Sequence, residues 1–229
     1  VLGGNMRLAA YPPGKGDITN MIRSYIHRCQ KDGVKIVMNC EVTPELIKEE
    51  KPDSVIIATG SKTLILPIEG IDNPAIIHGS DLLDGKRPAG KKVLVVGGGM
   101  VGCETAAFLG EQEHDVTVIE FRDTVGADVI HEHRVYLMKD FEDYGIKEIT
   151  GAKVCKFYED GVEYETADGV RHETRGYDSV ILSMGFRNYN PLEEKIKDLV
   201  PETHVIGDAI RARRALDATK EAYEVASRL

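Results

Sequence analysis

The fold is decided by residues Lys92 to Glu120, which read KVLVV-GGGMVG-CETAAFLGEQEHD-VTVIE. The apolar run 92–96 predicts a buried strand, and the glycine-rich stretch 97–102 predicts the turn that follows it. Residues 103–112 predict a helix, and residues 116–120 predict a second strand. A strand, a helix and a strand within about 30 residues form a βαβ unit with parallel strands. The sequence therefore predicts an α/β fold with Rossmann-like, three-layer nucleotide-binding domains.

The turn between the first strand and the helix has the pattern Gly97-x-Gly99-x-x-Gly102. We expect Gly97 to allow the tight turn, Gly99 to let a pyrophosphate approach the backbone, and Gly102 to let the helix pack on the sheet. The helix N-terminus adds free N–H groups and a partial positive charge. A glycine-rich turn without a ligand is the alternative, but the flanking strand and helix favour a nucleotide site. The candidate residues are Gly97, Gly98, Gly99, Met100, Val101 and Gly102.

The acidic residue Glu120 ends the second strand of the unit. A carboxylate at this position can accept hydrogen bonds from both adenine-ribose hydroxyls, and it repels a 2′-phosphate. It therefore favours NAD(H) over NADP. Phe121 and Arg122 follow it at the same edge of the predicted sheet. Arg122 could reach a 2′-phosphate, although we interpret it as a solvated loop cation.

Composition excludes several classes of protein. The 229 residues carry a net charge of −9, so they lack the broad positive field that holds nucleic acid. No apolar run reaches the length of a membrane-spanning helix, and the N-terminus has no signal-peptide core. The four cysteines stand apart, without a CxxC pair, which fits a reducing, cytoplasmic location and argues against a zinc ribbon or an iron–sulfur loop within this segment.

The rest of the chain yields a coarse series of elements. Helices are predicted over 17–32, after Thr43, over 128–143 and over 214–228, from apolar periodicity and capping residues. Apolar runs predict strands at 34–38, 54–60, 179–185 and 203–208, and alternating pieces with turns predict a small β-meander over 146–175. The Pro- and Gly-rich stretch 61–90 predicts a junction between domains.

Three predicted strands end in small residues. These ends are Ala58-Thr59-Gly60, Met184-Gly185 and Gly207-Asp208. Small residues at the carboxyl ends of parallel strands let a ligand lie against the edge of a sheet, and Asp208 could accept hydrogen bonds from a polyol. An aspartate after a glycine also commonly forms a turn or an N-cap. Together, the three ends predict a second nucleotide site.

The chain resembles a known family over nearly its whole length. Val55-Ile-Ile-Ala-Thr-Gly-Ser61, Gly97–Gly102 with Glu104, and Val205-Ile-Gly-Asp-Ala209 resemble the two-dinucleotide-binding flavoproteins. The opening residues 3–9 (GGNMRLA) and 12–15 (PPGK) resemble the C-terminal region of old-yellow-enzyme-like NADH:flavin oxidoreductases. These enzymes include 2,4-dienoyl-CoA reductase, trimethylamine dehydrogenase, enoate reductase and NADH oxidase.

The resemblance implies a part of a multidomain redox enzyme. In that family, an N-terminal barrel carries FMN, a 4Fe-4S cluster and the substrate site, and the C-terminal part receives hydride from a nicotinamide on FAD. The matching positions imply that Gly97, Gly99, Gly102 and Glu120 bind NAD(P). Thr59, Gly60, Gly207 and Asp208 match FAD-side positions, and Asn5 stands where the family often has glutamine near the flavin. Glu104 matches a family acid that lies close to the nicotinamide. An equal alternative is that Glu104 only stabilises the first turn of its helix, where the helix dipole favours a negative charge.

One part of the family pattern is missing from this sequence. The family's FAD half opens with its own βαβ unit and glycine-rich turn, which does not precede Gly3 here. We therefore expect a partial FAD-binding domain over 1–88 and 178–229, with an NAD(P)-binding domain inserted over 89–177. We interpret the sequence as a piece of a longer chain, and we expect FAD binding by this piece alone to be weak or absent. Its partners are a nicotinamide nucleotide and its own barrel, and oligomer formation stays open.

The sequence also leaves a function without catalysis open. The segment could be a nucleotide-binding structural domain without turnover, like the ADP-binding part of trimethylamine dehydrogenase. His131-Glu132-His133 suggests a metal site, but positions i and i+2 of a helix point to different faces, so we predict no metal there. The sequence has no catalytic motif of hydrolases or kinases, and it lacks the vicinal cysteines of a disulfide reductase. We place no catalytic residue of substrate reduction in this segment.

Overall fold

The computed structural model describes all residues from 1 to 229, which divide into two compact units. The host unit contains Val1–Asn5, Ile22–Lys62 and Phe186–Leu229, and the inserted unit contains Met6–Met21 and Thr63–Gly185. The inserted unit is thus longer than the expected range 89–177. The reason is that strands on both sides of that range join its central sheet.

The chain forms seven helices and twelve strands. The helices are α1 (Asp17–Lys31), α2 (Pro44–Glu50), α3 (Gly79–Leu83), α4 (Met100–Glu111), α5 (His131–Asp143), α6 (Glu193–Ile196) and α7 (Ala215–Ala226). The strands are β1 (Ser54–Ile57), β2 (Ser61–Thr63), β3 (Ile77–His78), β4 (Lys92–Val96), β5 (Asp115–Ile119), β6 (Lys147–Ile149), β7 (Lys153–Tyr158), β8 (Gly161–Glu165), β9 (Arg171–Thr174), β10 (Ser179–Leu182), β11 (Phe186–Asn188) and β12 (Glu202–Val205). Short 3-10 helices cover Gly4–Ala10 and Gly207–Ala209.

The inserted unit is built on a parallel sheet with the order β3-β10-β4-β5-β6. The βαβ unit β4-α4-β5 is present as predicted. Alternate residues of β4 enter two different cores. Val93 and Val95 pack with residues of α4 and α5, whereas Leu94 and Val96 pack with residues of the antiparallel sheet β7-β8-β9. The sheet therefore lies between a helical layer and a meander.

The meander matches the prediction except at its start. β7, β8 and β9 pair antiparallel, whereas β6 joins the parallel sheet beside β5. The amide of Phe157 in β7 donates to the carbonyl of Glu69 at 2.8 Å, so the stretch before β3 is anchored to the meander. The predicted junction over 61–90 is therefore largely part of the inserted unit.

The strand over 179–185 lies in a different place from the one expected. β10 pairs with β4 on one side and β3 on the other, which puts Met184 and Gly185 in the inserted unit rather than with the residues of 178–229. All four residues of β10 are buried. A continuous apolar run identifies a buried parallel strand, but it does not say which of two similar sheets receives it.

The host unit contains a two-stranded parallel sheet, β1 with β12. Ile57 is buried with residues of α2 and α6, whereas Ile56 on the other face is 40% exposed. Thr43 caps α2 as predicted, since its Oγ1 accepts a hydrogen bond from the amide of Leu46 at 3.3 Å. The prediction of a strand over residues 34–38 is wrong. These residues form no ladder, and Val37 is 59% exposed.

The two ends of the longer stretch of the inserted unit, Thr63–Gly185, meet. β2 and β11 form a two-stranded sheet, and the amide of Leu64 donates to the carbonyl of Gly185 at 2.9 Å. The chain thus enters and leaves the stretch 63–185 at neighbouring backbone positions.

Candidate dinucleotide-binding site

The glycine-rich turn after β4 has no room for side chains at three of its four glycines, and a Cβ on Gly98 would lie 2.8 Å from the Cβ of Glu120. Gly97 has φ +105°, and a Cβ there would collide with the carbonyl oxygen of Ser183. A Cβ on Gly102 would collide with the carbonyl oxygen of Gly97. The backbone of α4 therefore lies directly against the turn. The roles predicted for Gly97 and Gly102 agree with this packing.

Gly99 is different, because its Cβ position is open. A Cβ there would meet only the carboxylate of Asp128, at 3.4 Å. Gly99 is the N-cap residue of α4, and its carbonyl accepts the first helical bond, from the amide of Cys103 at 2.9 Å. The first-turn amides of Met100, Val101 and Gly102 thus precede the first helical donor. This open turn fits the diphosphate of a dinucleotide.

Glu120 lies beside the turn and binds its backbone. Its Oε2 accepts a hydrogen bond from the amide of Gly98 at 2.6 Å, and its Oε1 accepts one from the amide of Arg122 at 3.0 Å. Phe121 is 68% exposed. The carboxylate is therefore held at the carboxyl edge of the sheet, where the sequence predicted it.

Asp128 is a residue of this site that sequence reasoning missed. Its Oδ1 accepts a hydrogen bond from the amide of Met100, the first residue of α4, at 2.9 Å. It comes from the loop before α5, 28 positions further along the chain. The only signal in the sequence is that Asp128 is the first residue of the helix predicted over 128–143, and an acidic residue at that position is typical of any helix start.

Glu104 is buried in the first half of α4 and has a cation beside it. The carboxylate pairs with Nζ of Lys15, and its Oε1 lies 3.8 Å from Nε2 of His133. The side chain of Glu104 is 8% exposed and that of Lys15 is 23% exposed. A buried carboxylate needs such a partner. The sequence predicted a role for Glu104 but not its pairing with Lys15.

The host unit brings the residues predicted for the flavin side together around Ser61. The amide of the Asn5 side chain donates to the carbonyl oxygen of Ser61 at 3.1 Å, and the Ser61 hydroxyl donates to Oδ2 of Asp208 at 2.9 Å. Gly60 precedes Ser61 with φ +75°, and Thr59 donates to the carbonyl oxygen of Tyr189. Ala58 and Thr59 directly follow β1. These contacts form one cluster at the ends of β1 and β12.

Internal groups already occupy the polar atoms of this cluster. Oδ1 of Asp208 accepts from the amide of Arg213 at 3.0 Å, and the amide of Gly207 donates to Oε2 of Glu221 at 2.7 Å. No strand in this unit is followed by a glycine-rich turn and a helix. Both oxygens of the Asp208 carboxylate thus already accept hydrogen bonds from the chain itself, and a polyol would have to share them.

The cysteines and histidines form no metal site. All four cysteines are free, and no group of three metal-binding side chains occurs. Cys103 lies buried in α4, and its desolvation raises the pKa of its thiol to about 12. His133 lies beside Glu104 rather than with His131. Cys103 therefore stays protonated at neutral pH and acts as a small apolar residue.

The parallel sheet, the glycine turn and the carboxylate at 120 define a dinucleotide-binding α/β protein. The chain belongs to the pyridine nucleotide-disulphide oxidoreductase family, which it matches over residues 14–206. This confirms the resemblance to two-dinucleotide-binding flavoenzymes, and family membership implies binding of FAD and NAD(P)H.

Three similar proteins make the comparison more specific. The chain is 32% identical to an NADH oxidase of Thermoanaerobacter brockii, in an alignment that covers 98% of this chain. It is 30% identical to a cinnamate reductase of Clostridium sporogenes, in an alignment that covers 100% of this chain. It superposes on 2-naphthoyl-CoA reductase with a TM-score of 0.93 and 31% identity over 99% of this chain. The chain spans 35%, 34% and 34% of these proteins, respectively. It thus corresponds to about a third of each relative.

The helices of this chain are too short or too polar for any of them to span a membrane.

Proposed function

We propose that this chain is the nicotinamide- and flavin-binding portion of a multidomain NADH:flavin oxidoreductase. It accepts hydride from NAD(P)H and passes the electrons through FAD to FMN and an iron–sulfur cluster in a barrel outside these residues. The observation that carries the proposal is the turn at 97–102, open at Gly99 and flanked by Glu120. The similarity to an NADH oxidase and to two reductases, each about three times as long, supports it.

The inserted unit supplies binding and orientation for the nicotinamide nucleotide. The amides of Gly99, Val101 and Gly102 hold the diphosphate at the N-terminus of α4, where the helix dipole favours negative charge. Glu120 exchanges its bond to the Gly98 amide for the adenine-ribose hydroxyls, which favours NADH over NADPH. Arg122 stays in solvent. When bound, the nicotinamide supplies the hydride and the flavin accepts it.

Glu104 and Lys15 form the charged pair at the nicotinamide side of this proposed site. A neutralised carboxylate in the first half of α4 can orient the nicotinamide ring without repelling the diphosphate. Met184 and Gly185, which follow β10, leave the carboxyl edge of the sheet beside Gly97 free of long branched side chains. In the host unit, Asp208 and Asn5 would face the flavin side.

A second candidate function is a nucleotide-binding structural domain without turnover. The observation that favours it is that the carboxylate of Asp208 and the amide of Gly207 already make hydrogen bonds to groups of the chain itself. In that case, the inserted unit holds ADP or a similar nucleotide and no hydride is transferred.

Calorimetric titration of the 229-residue chain with NADH, ADP-ribose and FAD separates the two functions. For the redox function, NADH binds several-fold more tightly than ADP-ribose, because the nicotinamide adds contacts near Glu104. For the structural function, the two ligands bind equally. We expect weak FAD binding in either case, and submicromolar FAD affinity would contradict the description of the host unit as partial. No binding of NADH would refute the proposal itself.

A further inference from the structure

A second carboxylate, that of Asp128, contacts the turn at 97–102, and the dinucleotide chemistry does not require it. Asp128 accepts the hydrogen bond of the Met100 amide, and its two carboxylate oxygens lie 3.4 and 3.5 Å from the Cβ position of Gly99. It therefore binds a first-turn donor of α4 and lines the side of Gly99 on which a diphosphate must approach. A carboxylate at this place imitates one phosphate oxygen of the ligand.

No cation neutralises Asp128. It takes part in none of the ion pairs of the chain, and Arg134, from the helix that follows it, donates instead to Thr124 Oγ1 at 3.0 Å and to the carbonyl oxygen of Val125 at 3.2 Å. This contrasts with Glu104, whose charge is balanced by Lys15. Asp128 thus leaves a net negative charge at the open side of the cradle.

We infer that Asp128 is an internal competitor of the diphosphate, and that it weakens dinucleotide binding at this turn. The inference rests on the proposed function. The Met100 amide is a single donor, so a diphosphate must displace Asp128 from it or bind without it. In both cases two negative groups approach within a few ångströms, and their repulsion opposes binding. A weakened cradle releases the oxidised nucleotide faster, which suits a site that must exchange its nucleotide in every turnover.

The test compares D128N with the unchanged chain. Asparagine keeps an oxygen that can accept the Met100 hydrogen bond, so the turn keeps its geometry, but the charge is gone. ADP-ribose is the probe, because it carries the diphosphate without the nicotinamide. We expect D128N to bind ADP-ribose roughly 3- to 10-fold more tightly in 20 mM salt, with the difference shrinking in 500 mM salt, where charges are screened.

The matched control is D123N. Asp123 is an exposed acid of the same loop, and it makes no hydrogen bond to the amides of the turn. It should leave the affinity within about twofold, which separates a local effect at the cradle from a general change in net charge. A thermal midpoint of D128N within about 2 °C of the unchanged chain shows that the fold is intact.

The possible outcomes are distinct. Tighter binding by D128N alone supports the inference, including the case in which only D128N binds measurably. Equal or weaker binding by D128N, while the unchanged chain binds ADP-ribose, overturns the competitor role and leaves the proposed function standing. A tightening by D123N of the same size also overturns it. If neither the unchanged chain nor D128N binds ADP-ribose or NADH, both the inference and the proposed function are wrong.

Discussion

Replacing Gly99 with alanine should abolish most dinucleotide binding while leaving the fold intact. The new methyl group would lie 3.4 Å from the Asp128 carboxylate, an ordinary van der Waals contact, and the backbone at Gly99 has φ −72° and ψ −176°, which alanine adopts without strain. The methyl group would nevertheless fill the space through which a diphosphate reaches the backbone. The change therefore acts on the ligand rather than on the protein.

The expected magnitudes follow from this geometry. Alanine is a poorer N-cap than glycine by several tenths of a kcal/mol, and it gains about 0.4–1 kcal/mol from the less flexible unfolded chain. The free energy of unfolding should thus change by less than about 1 kcal/mol. Loss of one amide-to-phosphate hydrogen bond costs about 1.5–3 kcal/mol, so the affinity for NADH should fall by roughly 10- to 100-fold.

Gly102→Ala provides the contrast within the same turn. Its methyl group would collide with the carbonyl oxygen of Gly97, so α4 would have to move. Such overpacking costs about 1–3 kcal/mol, which exceeds the gain of about 1 kcal/mol from replacing a helical glycine. We expect G102A to be less stable in urea denaturation and G99A to be as stable as the unchanged chain. Gly16→Ala, at an open position, serves as a neutral control. The reasoning is refuted if G99A binds NADH with unchanged affinity, or if it loses as much stability as G102A.

Three further changes test other parts of the site. Glu120→Gln should lower the preference for NADH over NADPH by roughly tenfold in calorimetric titrations, because it removes the charge that repels a 2′-phosphate. Lys15→Met should destabilise the chain by about 2–4 kcal/mol in urea denaturation, because it removes the ammonium group beside the buried Glu104 carboxylate and leaves only His133 near it. Glu104→Gln in the same chain should restore most of this loss. Cys103 has a pKa of about 12 in the folded chain against 9.0 for an exposed thiol, so the folded chain keeps this proton longer. The contribution of the protonated thiol to the free energy of unfolding is therefore complete below pH 9.0 and is lost as the pH rises toward 12. Urea denaturation of the unchanged chain and of Cys103→Ala, measured across this pH range, would detect the loss.

Each of these three predictions has its own contradicting result. An unaltered ratio of NADH to NADPH affinity in the Glu120 variant would remove the ribose role of that carboxylate. Additive effects of the Lys15 and Glu104 changes would show that the two side chains do not interact. A parallel decline of stability with pH in the Cys103→Ala variant would assign the pH dependence to other groups.

The βαβ unit and its glycine turn could be predicted because their signals are local. Gly102 is required by a contact with Gly97, five residues earlier, and Gly97 has a positive φ within the turn itself, so a fixed spacing expresses both requirements directly. Glu120 ends the next strand of the same unit, so its position also follows from the pattern. The meander was predictable from its alternating residues and from its turns at 160–161 and 168–169.

The remaining features depend on contacts between distant segments. The pairing of β10 with β4 joins residues 179–182 to 93–96, and its apolar run fits either sheet equally well. Lys15 reaches Glu104 across 89 positions, and Asp128 reaches Met100 across 28, with no periodic pattern to mark either pair. Residues 34–38 have the composition of a strand, but no neighbouring strand pairs with them, so propensity alone gave a wrong prediction.

The hydrogen bond between Leu64 and Gly185 has a consequence for the architecture of the gene product. A stretch of chain whose two ends touch can be inserted into a protein or deleted from it by a single genetic event, because the flanking strands need only a short turn to be joined again. Transfer of 63–185 alone would nevertheless leave Glu104 without Lys15, which lies in the earlier stretch 6–21. A transplantable nicotinamide module therefore needs both pieces of sequence.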